Sequence, residues 1–467
     1  MPDLRFHGTR PQHTEIPRPK RGEGQWALGF NEPLNKNEQS KKDDDALNVR
    51  DRILYTYSKR GFDSIDPADL RGRFRWMGLY TQRKPGIDGG KTGALEEEEL
   101  DDRYFMLRVR SDGGALTAAS LRTLGEISTE FARDTADISD RQNIQYHWIR
   151  VEDMPEIWRR LDAVGLQTTE ACGDCPRVVL GSPLAGESLD EVIDGTPAID
   201  EIVQRYIGKK ELSNLPRKFK TAISGLQDVV HEVNDVAFIG VNHPEHGPGF
   251  DLWVGGGLST NPMLGQRVGA WVPLDEVPDV WEAVVSAFRD YGYRRLRSKA
   301  RLKFLIKDWG VEKFRKVLEE EYLKRPLIDG PAPDPVARPI DHVGVQKLRN
   351  GLNAVGVAPI AGRVSGTILS KVADLAEQEE AYGNRGSGRR QMEERQRREA
   401  RRFRDDELRF GLATLARRYR DLVVGGRSSA MGATARITEV GGELVRNPNE
   451  ALLLQALFLD LPAVSEA

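Results

Sequence analysis

Residues 104–132 read YFMLRVRSDGGALTAASLRTLGEISTEFA, and this stretch decides the fold class. Its first part alternates as a β-strand does, with Phe105, Leu107 and Val109 on one face. The Gly113–Gly114 pair then turns the chain, and apolar residues at helical spacing continue almost to the end of the stretch. The stretch therefore predicts a strand, a turn and a helix in that order.

A second strand is predicted at 141–151, RQNIQYHWIRV, where apolar and polar residues alternate again. A weaker copy of the strand, turn and helix begins near residue 352 and reads LNAVGVAPIAGRVSGTILSKVADLA to residue 376. This copy continues into EQEEAYGNRGSGRRQMEERQRREARRFRDDE at 377–407, which contains no strand pattern. The sequence predicts an α+β fold with an internal repeat whose second copy is incomplete.

The composition changes where the repeat breaks off. Up to Lys371 the chain has 19 Lys and 34 Arg, whereas the 96 residues after it have 16 Arg and no Lys. Two interpretations stay open for residues 377–467. They form a genuine Arg- and Glu-rich helical tail, or they are a GC-rich gene read out of frame, which yields Arg, Gly and Ala. We favour the second interpretation.

The bulk composition is that of a soluble globular protein. The formal net charge is −3, with 30% charged and 39% hydrophobic residues among 467. No apolar run approaches the roughly 18 residues that a membrane span requires, and the N-terminus has no apolar core typical of a secretory signal. These features predict a cytoplasmic protein with no nucleic-acid partner and no membrane partner.

Several cations lie on segments predicted to be strands. Paired cations flanked by apolar residues on strands are expected to be partly buried, and a buried cation needs an anionic partner. The members are Arg108 and Arg110, Arg141, Arg177, and Lys218 and Lys220 on either side of Phe219. Internal salt bridges would explain any one pair taken alone. Few acidic residues share these segments, however, so the cations taken together favour a bound polyanion. Residues 294–310, RRLRSKARLKFLIKDWG, predict a cationic helix that is a solvated face, part of the polyanion pocket or a docking site for an acidic partner.

The chain has two cysteines, Cys172 and Cys175, in TTEACGDCPRVVLGSP at 168–183. Two thiolates are half of what a structural zinc site needs, and no further Cys or His pair at suitable spacing completes it. A thioredoxin-like redox pair needs a βαβ setting, which the sequence does not predict here. We therefore predict no metal at this pair.

Five motifs in a fixed order resemble one family. FMLRVRSDGG, SDRQNIQYHWI, TTEACGDCPRVVLGSP, NLPRKFKTAISG and DLWVGGGLS resemble the sirohaem-containing nitrite/sulfite reductases, in particular the mycobacterial-type, ferredoxin-dependent sulfite reductases. The resemblance covers roughly residues 22–376. It implies an oxidoreductase of sulfur assimilation that reduces sulfite to sulfide with six electrons from ferredoxin. Sirohaem coupled to a [4Fe–4S] cluster is the implied cofactor set.

The resemblance also implies the domain organisation and a monomer. The predicted ranges are an extended arm at 1–45, a ferredoxin-like half-domain at 46–165, a sirohaem- and substrate-binding domain at 166–335, the start of a second half-domain at 336–376, and a divergent Arg-rich tail at 377–467.

By motif position, the resemblance assigns roles to individual residues. The implied substrate-binding cations are Arg108, Arg177, Lys218 and Lys220. The implied sirohaem-pocket residues are Arg141, Gln142, Gln145 and His147, with Gly255, Gly256 and Gly257 as the backbone that approaches the macrocycle. Sirohaem carries several carboxylates and sulfite is an oxyanion, so Arg and Lys are suitable partners for both.

Two further positions bear on the chemistry. Related nitrite reductases usually have Asn where this chain has Lys220, and a second ammonium favours doubly charged sulfite, so we prefer sulfite and keep nitrite as the alternative. Cys172 is similar to a cysteine that is cross-linked to a tyrosine beside the haem, and that tyrosine matches Tyr80 in RGRFRWMGLYTQR. Ordinary packing of both side chains is the other possibility.

The chain departs from the family pattern at its cluster ligands. The family holds its cluster through four cysteines in the C-terminal half, and this chain has no cysteine after Cys175. We therefore predict little or no sulfite reductase activity for this chain alone. The remaining alternative is an inactive relative whose Arg-rich segment, 385–404, binds RNA or an acidic partner.

Overall fold

The computed structural model describes residues 35–84, 86–87, 99, 101–259, 261–335, 341–382, 408, 411–427, 430–443 and 450–461. The chain divides into two compact units, Met1–Glu377 and Gln378–Ala467. All predicted site residues lie in the first unit. None of the helices in the described ranges combines the length and apolar character needed to cross a membrane.

The strands all belong to the first unit, within the described residues. In chain order they are β1 Leu79–Arg83, β2 Asp101–Val109, β3 Ala136–Ile138, β4 Ile144–Ile149, β5 Pro176–Leu180, β6 Phe219–Ser224, β7 Val236–His243, β8 Gly247–Val254, β9 Gln266–Val272, β10 Ile328–Asp329, β11 Gly344–Lys347, β12 Asn353–Gly356 and β13 Arg363–Val364.

The helices lie before, between and after these strands. In chain order they are α1 Lys36–Asp43, α2 Val49–Arg52, α3 Ser58–Arg60, α4 Pro67–Arg71, α5 Ala118–Phe131, α6 Met154–Ala163, α7 Thr196–Tyr206, α8 Val277–Tyr291, α9 Leu302–Val317, α10 Gly366–Tyr382, α11 Ala430–Glu443 and α12 Glu450–Asp460. A further helix spans 411–424, and short 3₁₀ and π turns connect several of them.

The first sheet is antiparallel and has the order β1-β2-β4-β3-β13. Phe105, Leu107 and Val109 of β2 are buried on one face, as the alternation predicted. Helix α5 covers that face, and its Leu124 carbonyl accepts the Tyr146 hydroxyl at 2.7 Å. The strand, turn and helix predicted at 104–132 are confirmed.

The second sheet is mixed and has the order β10-β9-β8-β7-β6-β5. Strands β5, β6 and β7 are parallel, and the remaining pairs are antiparallel. Helix α7 lies in the connection between β5 and β6, because a parallel pair needs a crossover. Helix α8 packs on the sheet through Trp281, which is buried and donates its indole N–H to the Thr221 hydroxyl at 2.8 Å.

The incomplete repeat has a defined start. The second copy supplies β12, then β13, which pairs with β3, and then α10. Helices α5 and α10 meet at two glycines: a Cβ on Gly125 would lie 2.6 Å from the Gly366 carbonyl oxygen. Only residues without a side chain permit this approach. The β11–β12 hairpin presents four exposed valines, Val343, Val345, Val355 and Val357, on one face.

Two sequence-based predictions are wrong. Residues 36–43 are the helix α1, with Glu38 buried, and not part of an extended arm; residues 1–34 lie outside the described ranges. The predicted cationic helix at 294–310 begins only at Leu302. Arg294 and Arg301 precede it and are buried in ion pairs, so they face the protein interior instead of solvent.

The second unit, taken by itself, is helical in its described parts. Its core is formed by Leu412, Ala416, Tyr419, Ala430, Ala433, Ile437, Val440 and Leu457. These residues come from the helix at 411–424, α11 and α12. The Arg-rich segment 385–404, for which RNA binding was the alternative, lies outside the described residues.

Candidate active site

Cations from both sheets of the first unit converge on one place, which we call the cation cluster. Its members are Arg108, Arg141, Arg177, Arg217, Lys218, Lys220 and Arg301. Each of them acts electrostatically on at least one other member and is partly or wholly buried. The four implied substrate cations and Arg141 are therefore brought together.

Strand register explains this convergence. Strands β5 and β6 are parallel and Pro176 pairs with Phe219, so Arg177 lies beside Lys218 and Lys220 on the opposite face from Phe219. In the first sheet, Arg108 of β2 pairs with Gln145 of β4. The alternation of Lys218 and Lys220 around the buried Phe219 was predicted correctly.

Arg108 and Arg177 of the cluster are held by neutral groups. Arg108 donates from Nη2 to Gln145 Oε1 at 2.9 Å. Arg177 donates from Nε and Nη2 to the Gly173 carbonyl at 3.1 and 2.9 Å. Within the described residues, neither guanidinium has a carboxylate at ion-pair distance.

Arg141 is also held by neutral oxygen atoms. It donates to Asn234 Oδ1 at 2.6 Å and to the carbonyls of Val178 and Thr221 at 2.9 and 3.0 Å. The Nε groups of Arg141 and Arg108 are buried and have no hydrogen-bond partner among the described residues. Buried donors without partners are rare, so these two N–H groups fit a ligand oxygen.

Lys218 and Lys220 are also without a carboxylate partner in the part of the chain that is described. Asp235, just before β7, accepts the backbone N–H of Lys220 at 2.8 Å and binds Arg301 through both carboxylate oxygens at 3.1 and 2.8 Å. Asp235 therefore compensates Arg301 and leaves both ammonium groups uncompensated.

The pKa values report the unbalanced charge. Burial, with Arg141 and Arg301 nearby, lowers the pKa of Lys220 to about 8. Burial lowers the pKa of Arg108 to about 10, with a contribution from Arg177, and burial lowers that of Arg141 to about 10. The pKa of Lys218 is lowered by burial and by Arg177. Each shift reflects first the burial of a positive charge, and neighbouring cations add to it.

Arg110 differs from Arg108, although both come from one strand. It lies just after β2, is 1% exposed, and binds both oxygens of Asp112 at 2.9 and 2.7 Å. Its Nη1 donates to the Glu170 carbonyl at 3.1 Å. The internal salt bridge is therefore the correct interpretation for Arg110.

The other predicted sirohaem-pocket residues take different positions. Both ends of the Gln142 amide bind the Gly181 backbone, at 2.8 and 3.1 Å, which gives it a structural role. Gln145 binds Arg108 of the cluster. His147 lies two residues further along β4, with Nε2 at 3.4 Å from Asp137 Oδ2.

The three glycines are explained largely by their own chain. Gly255 has φ +83°, and a Cβ there would lie 2.9 Å from Ile306. A Cβ on Gly256 would lie 2.1 Å from the Glu232 carbonyl oxygen. A Cβ on Gly257 would lie 3.0 Å from Arg301 Nη2, so this glycine alone contacts the cation cluster.

The cysteine pair is buried and contains free thiols. The Cys175 thiol donates to the Cys172 carbonyl at 2.9 Å, and burial raises its pKa well above the usual value. The described residues contain no group of three or more His, Cys, Asp or Glu that could hold a metal ion. Tyr80 lies beside the cluster, with the Arg108 guanidinium 5.7 Å from its ring centroid.

Three functional residues were missed by sequence reasoning. Arg217 and Arg301 belong to the cation cluster, and Asp235 orients it. Arg217 precedes Lys218 in LPRKFK and could have been included with it. Arg301 lies in the predicted cationic helix, for which the polyanion pocket was one of three open alternatives, and nothing in the sequence marks Asp235.

Two family profiles match the chain. The nitrite/sulfite reductase ferredoxin-like half domain matches residues 97–164, and the nitrite and sulphite reductase 4Fe-4S domain matches residues 172–327. The first contains β2 to β4 and the second contains most of the cation cluster.

Known relatives agree with these profiles. The chain is 78% identical over 362 residues to a sulfite reductase [ferredoxin] of Mycobacterium tuberculosis H37Rv, covering 78% of this chain and 65% of that protein. It is 35% identical to a ferredoxin–nitrite reductase of Synechococcus elongatus, covering 75% and 67%. The solved structure of the Mycobacterium tuberculosis NirA protein superposes with a TM-score of 0.74 at 79% identity, covering 75% of this chain and 64% of that one.

The fold and the two matching profiles thus define the class of the protein. The chain belongs to the nitrite and sulfite reductase family. The resemblance and the fold class inferred from the five motifs are confirmed. The chain spans about 65% of the length of its mycobacterial relatives.

Proposed function

We propose that this chain carries the sulfite-binding site of a ferredoxin-dependent sulfite reductase. The cation cluster is the observation that supports the proposal, because its members converge without matching carboxylates. A dianion in this place would accept charge-assisted hydrogen bonds from Arg108, Arg177, Lys218 and Lys220. A cytoplasmic monomer with ferredoxin as its donor remains our prediction.

The cluster also fits sirohaem. The two unpartnered Nε groups of Arg108 and Arg141 and the uncompensated ammonium groups suit a polycarboxylate ring. When bound, sirohaem supplies the iron at which sulfite is reduced. The residues of this chain then hold the substrate and neutralise its charge. Lys220, with a pKa of about 8, is suited to hold a proton close to a departing oxygen at neutral pH.

The residues do not fit a [4Fe–4S] cluster. Such clusters are held by four thiolates, and the whole chain has two cysteines. Burial keeps the Cys175 thiol protonated, and the thiol donates a hydrogen bond to the Cys172 carbonyl. We derive no step through this cofactor. The chain alone is expected to bind sulfite without sustaining ferredoxin-dependent turnover.

Titration calorimetry of sulfite into the full chain tests the binding site. Replacing Lys218 and Lys220 together by Met should weaken sulfite binding by about tenfold or more, since each lost charge-assisted hydrogen bond is worth about 1.5–3 kcal/mol. Lys316→Met is the matched control, because Lys316 is exposed beside Glu320. Equal affinity of the double variant and the control would contradict the proposal.

Nitrite is the second candidate, supported by the 35% identical ferredoxin–nitrite reductase. Lys220 argues for sulfite, because a second ammonium is better matched to a doubly charged anion. Lys220→Asn should reduce the affinity for sulfite more than the affinity for nitrite, measured in parallel titrations. An equal loss for both anions would remove Lys220 as the discriminating residue.

A further inference from the structure

A row of buried charges lies beside the cation cluster and alternates in sign. Arg294 contacts Glu38 at 3.2 Å, Glu38 contacts Lys41 at 2.5 Å, and Lys41 contacts Asp174 at 3.3 Å. Asp174 then binds the Arg297 guanidinium through both oxygens, at 2.7 and 2.9 Å. The side chains of the first four are at most 5% exposed. We call this row the charge clasp.

Helix α1 brings two members of the charge clasp into place. Asn35 caps α1 by accepting the N–H groups of Asn37 and Glu38. The same side chain donates to the carbonyls of Arg294 and Arg295 at 2.8 and 3.1 Å. The helix is therefore fixed to the segment before α9 by its own capping residue.

The clasp fixes both segments that carry cations of the site. Lys41 donates to the Leu215 carbonyl at 2.8 Å, and the Leu215 N–H donates to the Asp174 carbonyl at 2.8 Å. Asp174 lies in the loop whose Gly173 carbonyl holds Arg177. Leu215 lies shortly before Lys218 in the strand segment.

A second connection runs through the backbone of Arg297. Its carbonyl accepts Arg217 Nη1 at 2.6 Å, so the position of Arg297 sets that of Arg217. The Asp174 carboxylate in turn sets the position of the Arg297 side chain. Two cations of the cluster, Arg177 and Arg217, thus depend on groups that Asp174 holds.

The electrostatics keep Asp174 ionised. Despite complete burial, Lys41 and Arg297 hold its pKa well below the usual range. Removing one charge from such a network leaves a buried cation uncompensated and frees the loop to move. The cations of the site are therefore positioned by a negative charge that would itself repel a bound anion.

We propose that Asp174 is a positioning residue for the anion site, acting with Glu38 and Lys41 of α1. This inference rests on the proposed sulfite-binding function. The direction in which Asp174→Asn changes the affinity for sulfite tests this proposal. Asp174→Asn removes a negative charge near the cluster, so a purely electrostatic role predicts tighter sulfite binding. A positioning role predicts weaker binding, and we expect at least a fivefold loss of affinity.

Titration calorimetry on the full chain measures this sign, with circular dichroism to show that each variant is folded at the working temperature. Asp251→Asn is the matched control, since Asp251 is equally buried and pairs through both oxygens with Arg267. It should lose thermal stability and keep its sulfite affinity. Unchanged or tighter binding by folded Asp174→Asn would overturn the inference.

A charge-neutral variant covers the case in which Asp174→Asn does not fold. Asn35→Ala removes the cap and its two bonds to the segment before α9, and should weaken sulfite binding by about twofold or more while the chain stays folded. Wild-type affinity in this variant would also overturn the inference. If the wild-type chain itself binds no sulfite, the proposed function fails first, so the two failures are distinguishable.

Discussion

Lys220 combines burial with three neighbouring cations, and its pKa of about 8 has a consequence for anion binding. A bound anion raises this pKa. Below pH 8 the ammonium is charged in both states and contributes fully, whereas above pH 8 the free lysine is neutral and the contribution falls. The affinity ratio of wild type to Lys220→Met should shrink from pH 7 to pH 10, by about a hundredfold at most, since pH 10 lies about two units above the free pKa.

Comparing the two proteins cancels the titration of sulfite itself. The ratio is measured by calorimetry in buffers of equal ionic strength, since salt screens such contacts. A ratio that stays constant across this pH range would show that Lys220 does not titrate at the site.

Glu170 has a raised pKa, in contrast to the lowered pKa of Lys220. Its carboxyl is buried, Oε2 accepts the Gly208 N–H at 2.8 Å, and Oε1 has no partner among the described residues. Burial raises its pKa to about 7. Because the folded pKa lies above the unfolded one, the stability present at low pH is lost as the pH rises through 7.

Glu170→Gln removes this titration and keeps the shape of the side chain. It should raise the free energy of unfolding at pH 8 by about 3 kcal/mol, at about 1.4 kcal/mol per pKa unit. The gain should vanish near pH 4. Urea unfolding at both pH values checks it, and a gain of equal size at both would refute the burial argument.

The alternation of apolar and polar residues along the strands predicts only part of the site. Lys218 and Lys220 were found because a buried Phe219 between them fixes their common face. Arg108 and Arg110 look alike in sequence, yet one faces the cluster and the other binds Asp112. The end of β2 at Val109 separates them, and strand ends are not encoded in the alternation.

Helices α5 and α10 meet with almost no space between their backbones. A Cβ on Gly125 would lie 2.6 Å from the Gly366 carbonyl and 2.9 Å from the Ser370 backbone nitrogen. Gly125→Ala should therefore lower the free energy of unfolding of the first unit by about 1–3 kcal/mol. Thermal unfolding followed by circular dichroism measures this.

Gly432→Ala provides the comparison within a helix. Nothing lies within 4 Å of a Cβ at Gly432 in α11, so the substitution should stabilise its helix by about 0.5–1 kcal/mol. A neutral Gly125→Ala would mean that the two helices separate easily.

Elements were predictable where their periodicity was strong. Helix α5 and strand β2 follow from their apolar spacing, whereas α1 has the sequence KNEQSKKD and no apolar face. Its helix exists because of a cap and buried ion pairs to distant segments, which a local pattern does not show. The helix prediction for residues 294–301 is wrong for the same reason. Arg294 pairs with Glu38, and Arg301 pairs with Asp235.

For the molecule as a whole, cofactor content is the decisive property. After anaerobic incubation with iron and sulfide, the chain should retain far less than one [4Fe–4S] cluster, because the chain holds only two of the four thiols required. Iron analysis and visible absorbance measure this. Full cluster occupancy, or turnover with reduced ferredoxin, would contradict the prediction.

Sulfite binding by the same preparation separates two explanations of a negative result. A chain that binds sulfite and holds no cluster has an intact substrate site and lacks electron entry. This outcome is expected because the chain has only two of the four thiols that such a cluster requires.

The charge clasp also sets an order of assembly. Glu38 and Arg294 are separated by 256 positions, and Lys41 and Asp174 by 133. Contacts so distant in sequence form slowly, because long loops must close first. During synthesis on a ribosome, α1 emerges early. Its residues can pair with Asp174 and Arg294 only after those residues have been synthesised. The anion site therefore matures in one late step, and a nascent chain that stops before Arg297 has no functional pocket.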